Sequence, residues 1–358
     1  MQLTRLLCTG FRCLTDVSFS PASGLNLIVG ANGQGKTSLL ESLLYVATAR
    51  SHRTVQDTEL VQYGAQGFRI AAWADRVDRP VLVEAAYYNG EKRFRVNGIA
   101  QTRISDILGK INVVAFFTED IELIRGAASQ RRRLLDIELS KVNPEYLRAL
   151  QRYRQVVRQR NENLRQPQSK PEELEAWDIQ LVQNAEILMT QRDIFLQHIT
   201  QHATRFYEAI AGDDEPVDLV YRPDIRADQN MHHVLAASRE TDRKQGLTTR
   251  GPHRDDIEIS ISQKSARQFA SQGQQRSAAL AVKLATTEWV REMTNEYPIL
   301  ALDDVFSELD PERAQRLLLS IPEELQCIIT STDSGVVKRY SSKMKLFTMH
   351  GGSLEEKE

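Results

Sequence analysis

No stretch of this sequence approaches the ~20 consecutive apolar residues that a membrane-spanning helix needs. Near its start Thr4, Arg5 and Thr9 interrupt any run that could act as a secretory leader. Cysteine is scarce. Cys8, Cys13 and Cys327 are the three in 358 residues, and none forms a C-x-x-C pair. Neither a zinc site nor a disulfide framework is suggested, and a reducing, cytoplasmic compartment is the expectation. A surplus of positive charge is missing as well. With a formal net charge of −2, a nucleic-acid binder of this composition has to gather its Lys and Arg on one face. No Ser/His/Asp or Cys/His set of nucleophile and base stands out. What is left is an ordinary globular composition, 41% hydrophobic and 26% charged, in a chain long enough for two domains or one core with an insertion.

The most informative segment is Gly30-Ala31-Asn32-Gly33-Gln34-Gly35-Lys36-Thr37, followed by Ser38. It fits G-x-x-x-x-G-K-[ST], the phosphate-binding loop. Leu25, Leu27, Ile28 and Val29 before it read as a buried strand, and Ser38 to Leu44 after it has helical spacing running to about Ala49. Strand, glycine turn and helix are the context in which backbone N–H groups converge on phosphate oxygens at a helix N-terminus. Lys36 is then expected on the β- and γ-phosphates of ATP, and the Thr37 hydroxyl on Mg²⁺. Arg50-Ser51-His52-Arg53 follows the helix, readable either as a solvated loop or as phosphate contacts.

Residues 68–96 alternate, with Asn89-Gly90 and Asn97-Gly98 as turn signals, so an antiparallel meander is expected. Ile111 to Phe117 is another buried strand, with Thr118-Glu119-Asp120 at its exit. From Ala128 the composition becomes helical. Tyr146, Leu150, Tyr153, Val157 and Leu164 form one apolar seam; Leu174, Trp177, Leu181, Asn184, Leu188, Phe195 and Ile199 form a second. Their spacing predicts a short coiled-coil hairpin broken at 166–171. Arg131, Arg132 and Arg133 stand at its base, either as a solvated helix face or as DNA contacts. Residues 212–245 read as polar and irregular, with a short strand at 217–221. His253, in Thr249 to Asp256, reads either as a catalytic residue or, as turn chemistry favours, as part of a turn ahead of a strand at 257–261.

Pro298 to Leu302 is an apolar strand ending in Asp303-Asp304. Asp303 fits a Walker B carboxylate for Mg²⁺, and Asp304 is placed to orient or deprotonate the attacking water. Upstream, Ser271-Gln272-Gly273-Gln274-Gln275 opens a helix, a second anion-binding turn. Two such turns far apart in one chain suggest that one of them serves the nucleotide of a second subunit.

In order, the phosphate loop, the Ser271 turn, Asp303-Asp304 and Ser307-Glu308-Leu309-Asp310 resemble the Walker A, signature, Walker B and D-loop motifs of ABC ATPase heads. With Phe11-Arg12-Cys13-Leu14, Phe117-Thr118-Glu119-Asp120, Arg131 to Asp136, Thr249 to Asp256 and the short arm, the chain resembles the RecF family of SMC-like DNA-repair ATPases. The resemblance implies an α/β ABC-type head, a mixed sheet with helices plus an antiparallel meander, carrying an inserted coiled-coil arm. The implied domains are 1–127 and 246–358 for the head and 128–245 for the arm.

That resemblance further implies two heads closing on two ATPs. Ser271, Gly273 and Gln274 of one head would meet the phosphates held by Lys36 and Thr37 of the other, with Asp310 in the D-loop. The ATP-bound homodimer would clamp DNA, duplex near single-strand gaps, in a nucleoid-associated setting. RecO, RecR and RecA are the implied partners. Gln272 replaces the usual signature Gly, Asp304 a Glu, and Glu119-Asp120 the usual Gln, and 329–333 lacks a His; all imply a slow ATPase. The competing readings are an ABC transport subunit, a structural SMC-type bridging ATPase and a P-loop kinase. The first lacks its switch His, the second a long arm, and the third leaves the Ser271 turn and Asp310 without a role.

Overall fold

A computed structural model of the chain describes residues 1–166, 171–212, 215–307, 309–332 and 344–357. The expected helix break at Pro167 to Lys170, together with Asp213, Asp214, Glu308 and Asp333, lies outside those residues. Contacts divide the chain into two compact units: Met1–Ile121 with His202–Glu215 and Ser271–Glu358, and Glu122–Gln201 with Pro216–Ala270.

The first unit begins with β1 (Gln2–Phe11), β2 (Leu14–Phe19), β3 (Leu25–Val29) and α1 (Lys36–Thr48). The meander follows as β4 (Gly67–Asp75), β5 (Val81–Tyr88), β6 (Glu91–Val96) and β7 (Ile99–Gln101), then β8 (Val113–Phe116). Asn89 and Asn97 both have positive φ and precede Gly90 and Gly98, as tight hairpin turns between twisted strands require. Strands β1, β2 and β4 to β7 make one antiparallel sheet in the order β2-β1-β4-β5-β6-β7.

The second unit holds α2 (Glu122–Arg125), α3 (Ala128–Val142), α4 (Pro144–Leu164) and the greater part of α5 (Pro171–Ala211). It continues with β9 (Val217–Arg222), α6 (Met231–Gln245), β10 (Asp256–Ile261), β11 (Lys264–Ser265) and α7 (Ala266–Phe269). Two expectations change here. Residues 231–245 are helical, not irregular: Asn230 caps the helix by accepting from His233 N at 3.1 Å, and Gly246 closes it at φ 64. Only Met231, Leu235 and Asp242 of α6 are buried, too sparse an apolar pattern to read. Second, the helices are accompanied by a three-stranded sheet, β11-β10-β9, so this unit extends beyond 128–245 to Ala270.

The seams also differ in detail. On α5, Leu174, Asp178, Leu181, Ala185, Leu188, Arg192, Phe195 and Ile199 are buried at alternating spacings of four and three, with Val182 and Leu196 buried beside them. Trp177 and Asn184 are only half-buried, and on α4 Val156 and Arg160 are inside where Val157 was expected. The charged seam positions compensate one another. Arg160 meets Asp178 at 2.9 Å and Asp242 at 2.7 Å; Arg192 meets Asp255 at 2.8 Å and Asp136 at 2.9 Å. Removing one partner of such a pair leaves a buried charge uncompensated; Arg160–Asp178 ties α4 to α5, and Arg192 ties α5 to α3 and to the turn before β10. His253 joins this framework. Its Nε2 lies 2.9 Å from Thr248 O and must donate, so Nδ1 accepts from Tyr153 Oη at 2.7 Å. It is a turn residue, as expected.

The first unit resumes with α8 (Gln272–Thr294), β12 (Ile299–Leu302), α9 (Pro311–Ser320), β13 (Cys327–Ser331), β14 (Lys345–His350) and β15 (Ser353–Lys357). Its second sheet runs β15-β14-β3-β13-β12-β8, all parallel apart from β15. Every residue of β8, β12 and β13 is buried, which is why β8 and β12 read as continuous apolar runs. Leu39, Leu40, Leu43 and Val46 of α1 share a core with Leu6, Ile70 and Val83 of the meander sheet and Ile28, Val113 and Ile328 of the parallel sheet. This core fixes α1, and with it the phosphate loop.

Candidate nucleotide site

Parallel pairing puts the ends of β3, β13 and β12 side by side. Leu302 pairs with Ile329, and Ser331 with Val29, so Asp303, Thr330 and the phosphate loop leave the sheet at one level. The crevice beyond the carboxyl ends of such strands is where α/β folds take ligands. Here it holds a cavity of about 270 Å³, lined by Cys13, Asn32 to Ser38, Arg53, Asp304 and Thr332.

Gly33 and Gly35 have φ of 76° and 112°, which only glycine adopts without strain. Lys36 Nζ donates to Gly30 O at 2.7 Å and Ala31 O at 2.9 Å, so the ammonium is folded across its own loop. Burial holds its pKa below the ordinary lysine value. A polyphosphate in the loop would exchange two carbonyl dipoles for full negative charges. Gln34 is gripped from the β14–β15 turn: its Oε1 accepts from Gly351 N at 2.6 Å and its carbonyl from Gly352 N at 3.0 Å.

Thr37 Oγ1 lies 2.8 and 3.0 Å from the two oxygens of Asp303 and donates to that carboxylate. Asp303 is buried, 4% exposed, and burial raises its pKa. A hydroxyl and a buried carboxylate at this separation are the hard oxygen donors that suit Mg²⁺, whose charge would offset the desolvation. Asp303 Oδ1 also accepts from Thr330 Oγ1 at 2.7 Å. The same Thr330 oxygen accepts from Asp304 N at 2.8 Å.

Asp304 takes the left-handed conformation at φ 48, where a residue other than glycine is uncommon and Asp is among the best tolerated. Its Oδ1 accepts from Thr332 N at 3.1 Å, and Oδ2 from Ser307 Oγ at 2.9 Å. The carboxylate is thereby turned along the cavity wall beside Lys36. Lys36, Thr37, Asp303 and Asp304 are thus brought together as their sequence positions implied.

Arg53 joins them in the cavity wall. Ser51 Oγ accepts from the N–H groups of Arg53 and Thr54 and itself donates to buried Glu41, whose carboxylate also takes Arg12 at 3.0 and 3.1 Å. Arg53 meets Glu119 at 3.5 Å, and the neighbouring Asp120 meets Lys283 of α8 at 3.0 Å. His52 stacks on Phe117 with ring centroids 3.5 Å apart, both ring nitrogens buried without a hydrogen-bond partner among the described residues; burial lowers its pKa to about 4.

Other expected site residues lie outside this cavity. Ser271 caps α8: its Oγ accepts from Gln274 N at 3.2 Å while its own N–H donates to Gln274 Oε1 at 2.9 Å. Ser271 is exposed, Gly273 and Gln274 half-buried. Asp310 caps α9 by accepting from Glu312 N and Arg313 N at 3.1 and 3.0 Å. Those backbone donors hold its carboxyl below the usual range.

The basic triplet is corrected in part. Arg131 is buried, its guanidinium bonded to both Asp256 oxygens at 2.7 and 3.0 Å and to Leu123 O and Gly126 O, so it fastens the second unit and is not a DNA contact. Arg132 is half-buried and donates to Asp255 O at 2.6 Å; of the three only Arg133 is exposed. Sequence reading missed Thr330, Thr332 and the Gly351-Gly352 turn. The available signal was two hydroxyls closing a strand adjacent to β3.

Residues 2–355 match the RecF/RecN/SMC N terminal domain family. The DNA replication and repair protein RecF of Clostridium novyi is 36% identical over 99% of this chain and 100% of its own length. That of Symbiobacterium thermophilum is 37% identical over 99% and 98%. A solved structure of the recombination mediator protein RecF with ATP, of the RecFOR pathway, superposes with a TM-score of 0.90 at 30% identity, covering 100% of this chain and 98% of that one. An SMC head bound to the C-winged helix domain of ScpA shares the fold alone, at 17% identity and a TM-score of 0.61 over 100% of this chain and 97% of that one.

Proposed function

This chain belongs to the RecF family of SMC-type ATPases, and we propose that it is an ATP-dependent DNA-binding protein of recombinational repair and replication-fork restart. The observation that carries the nucleotide part is that Lys36, Thr37 and Asp304 line one cavity while Thr37 is hydrogen-bonded to Asp303 directly behind it. Lys36 and the loop amides bind the phosphates, and Thr37 and Asp303 would hold Mg²⁺. Bound there, the metal would neutralise developing charge on the phosphoryl oxygens. Asp304 orients water at the γ-phosphate once its bonds to Thr332 and Ser307 rearrange. Its short side chain and its engagement with the Thr332 N–H and the Ser307 hydroxyl support slow hydrolysis.

Ser271 is exposed at the start of α8, Gly273 and Gln274 beside it are half-buried, and all three are absent from the cavity wall of their own chain. That supports their use in trans, on the phosphates of a second copy, so that ATP closes a homodimer. The dimer holds duplex DNA beside single-strand gaps, with RecO, RecR and RecA as partners in placing the recombinase. The family relatives and the RecFOR assignment of the solved neighbour support this part.

The test is Asp304→Asn. With saturating Mg-ATP the variant sediments as a dimer that persists after the wild type has returned to monomer, and it retains gapped duplex. A variant that stays monomeric under those conditions overturns the trans arrangement. A structural bridging ATPase would instead retain DNA equally with and without nucleotide.

A further inference from the structure

With Arg131 buried, the positive charge that contacts DNA has to lie elsewhere. A protein of net charge −2 needs it concentrated. The outward face of α4 has this property. Arg148, Arg152 and Arg158 are exposed there, together with Gln151 and Gln155, and Gln159 is half-buried on the same side. Residues 148, 152, 155 and 159 follow one stripe, and 151, 155 and 158 the next, because positions three and four apart are neighbours on a helix.

Among the described residues none of the three arginines makes an ion pair, whereas Arg154 and Arg160 of the same helix are bound to Asp136 and to Asp178. Glu145 and Glu162 bracket the stripe at its two ends. On α5, by contrast, Glu172, Glu175 and Glu186 are exposed. Charges arranged for solubility would be interspersed. Here they are segregated: between Glu145 and Glu162 the exposed charges of α4 are all arginines, and over residues 172–200 those of α5 are all carboxylates.

We propose that the Arg148–Arg152–Arg158 ridge of α4 is a contact surface for the phosphate backbone of duplex DNA; this rests on the DNA-binding reading above. From Arg148 to Arg158 the helix rises about 15 Å, roughly four phosphates along one strand at about 3.4 Å of axis each. The glutamines supply neutral amide donors between the cations, a mixture that positions a backbone and reads no sequence. An interface with an acidic protein would want an aromatic or aliphatic anchor. Among these six residues there is none.

The experiment compares wild type with an Arg148→Gln, Arg152→Gln, Arg158→Gln variant by fluorescence anisotropy on a labelled duplex across a salt series. Three lost phosphate contacts make the slope of log K against log salt shallower by about 2.7, with affinity lower by about tenfold or more at roughly physiological salt. ATP-dependent dimerisation and basal ATPase stay unchanged. The triple Lys variant restores both slope and affinity, which it would not do for a packing role. A Gln variant that binds like a wild type that does bind duplex overturns the ridge assignment alone. A wild type that binds no duplex overturns the DNA-binding reading itself. Loss of an acidic protein ligand with duplex binding intact would make the ridge a protein interface and also overturn the proposal.

Discussion

Replacing Thr330 with Val keeps the shape and volume of a side chain that is fully buried, and removes one oxygen. That oxygen does two things: it donates to Asp303 at 2.7 Å and accepts from Asp304 N at 2.8 Å. A hydrogen bond to a charged group contributes about 1.5–3 kcal/mol, and an orphaned buried N–H costs about 1–3 kcal/mol more. The expected loss is therefore about 2.5–6 kcal/mol, a large fraction of the roughly 5–15 kcal/mol that holds a domain. The loss has a further signature. Without the hydroxyl, burial raises the Asp303 pKa further, so the carboxylate is less available to a cation. Urea unfolding with and without Mg-ATP measures both effects. The Val variant unfolds at lower urea, requires more Mg²⁺ for nucleotide stabilisation, and loses kcat because the Asp304 backbone has lost its anchor. Thr330→Ser retains the oxygen and stays within about 1 kcal/mol of wild type. Equal midpoints and equal turnover in the Val variant would refute the role given to this hydroxyl.

Cys8 and Cys327 are fully buried, with burial pushing Cys8 up to about 12, whereas Cys13 is exposed in the cavity wall with Sγ 3.5 Å from Ser38 Oγ. A thiol reagent should modify one cysteine in the native protein and abolish ATP binding, and ATP should slow the reaction; modification indifferent to ATP would count against this cavity. His52 is the pH probe. Its folded pKa of about 4 lies below the 6.5 of an ordinary histidine, so as pH falls through that window the unfolded chain takes up a proton that the folded chain refuses. Stability from this residue is complete above pH 6.5 and declines by up to about 3 kcal/mol toward pH 4. His52→Phe, which keeps the stack on Phe117, should flatten the acid limb by that amount, and an unchanged limb would exclude His52 as its source.

Local patterns made the head legible. The phosphate loop between an apolar strand and a helix, the Asn-Gly turns of the meander and the apolar run ending in Asp303-Asp304 each carry their chemistry within about ten residues of contiguous sequence. Those segments fold as expected because backbone geometry and burial act at that range. The arm was less legible. Arg160 and Arg192 occupy seam positions, and in a sequence a buried cation looks the same as a solvated one until its carboxylates are known. Asp178, Asp242, Asp136 and Asp255 come from α3, α5, α6 and the turn before β10, and no periodicity links them. Helix α6 escaped for the opposite reason: it buries too few apolar residues to print a pattern.

The sequence by itself determined that the chain handles a nucleotide, since loop amides, an ammonium, a hydroxyl and a carboxylate are chemically committed wherever they are placed together. Tertiary structure decided how those groups are held. Parallel pairing sets Thr330 between two strand ends and so ties Asp303 to Asp304; the β14–β15 turn grips Gln34; Ser51 aims Arg53 into the cavity. It also decided which arginines are free. Arg131 was drawn inside by Asp256, while Arg148, Arg152 and Arg158 were left facing water. Charge is written in the sequence, but its availability depends on burial and on partners, and both are set only when distant segments meet.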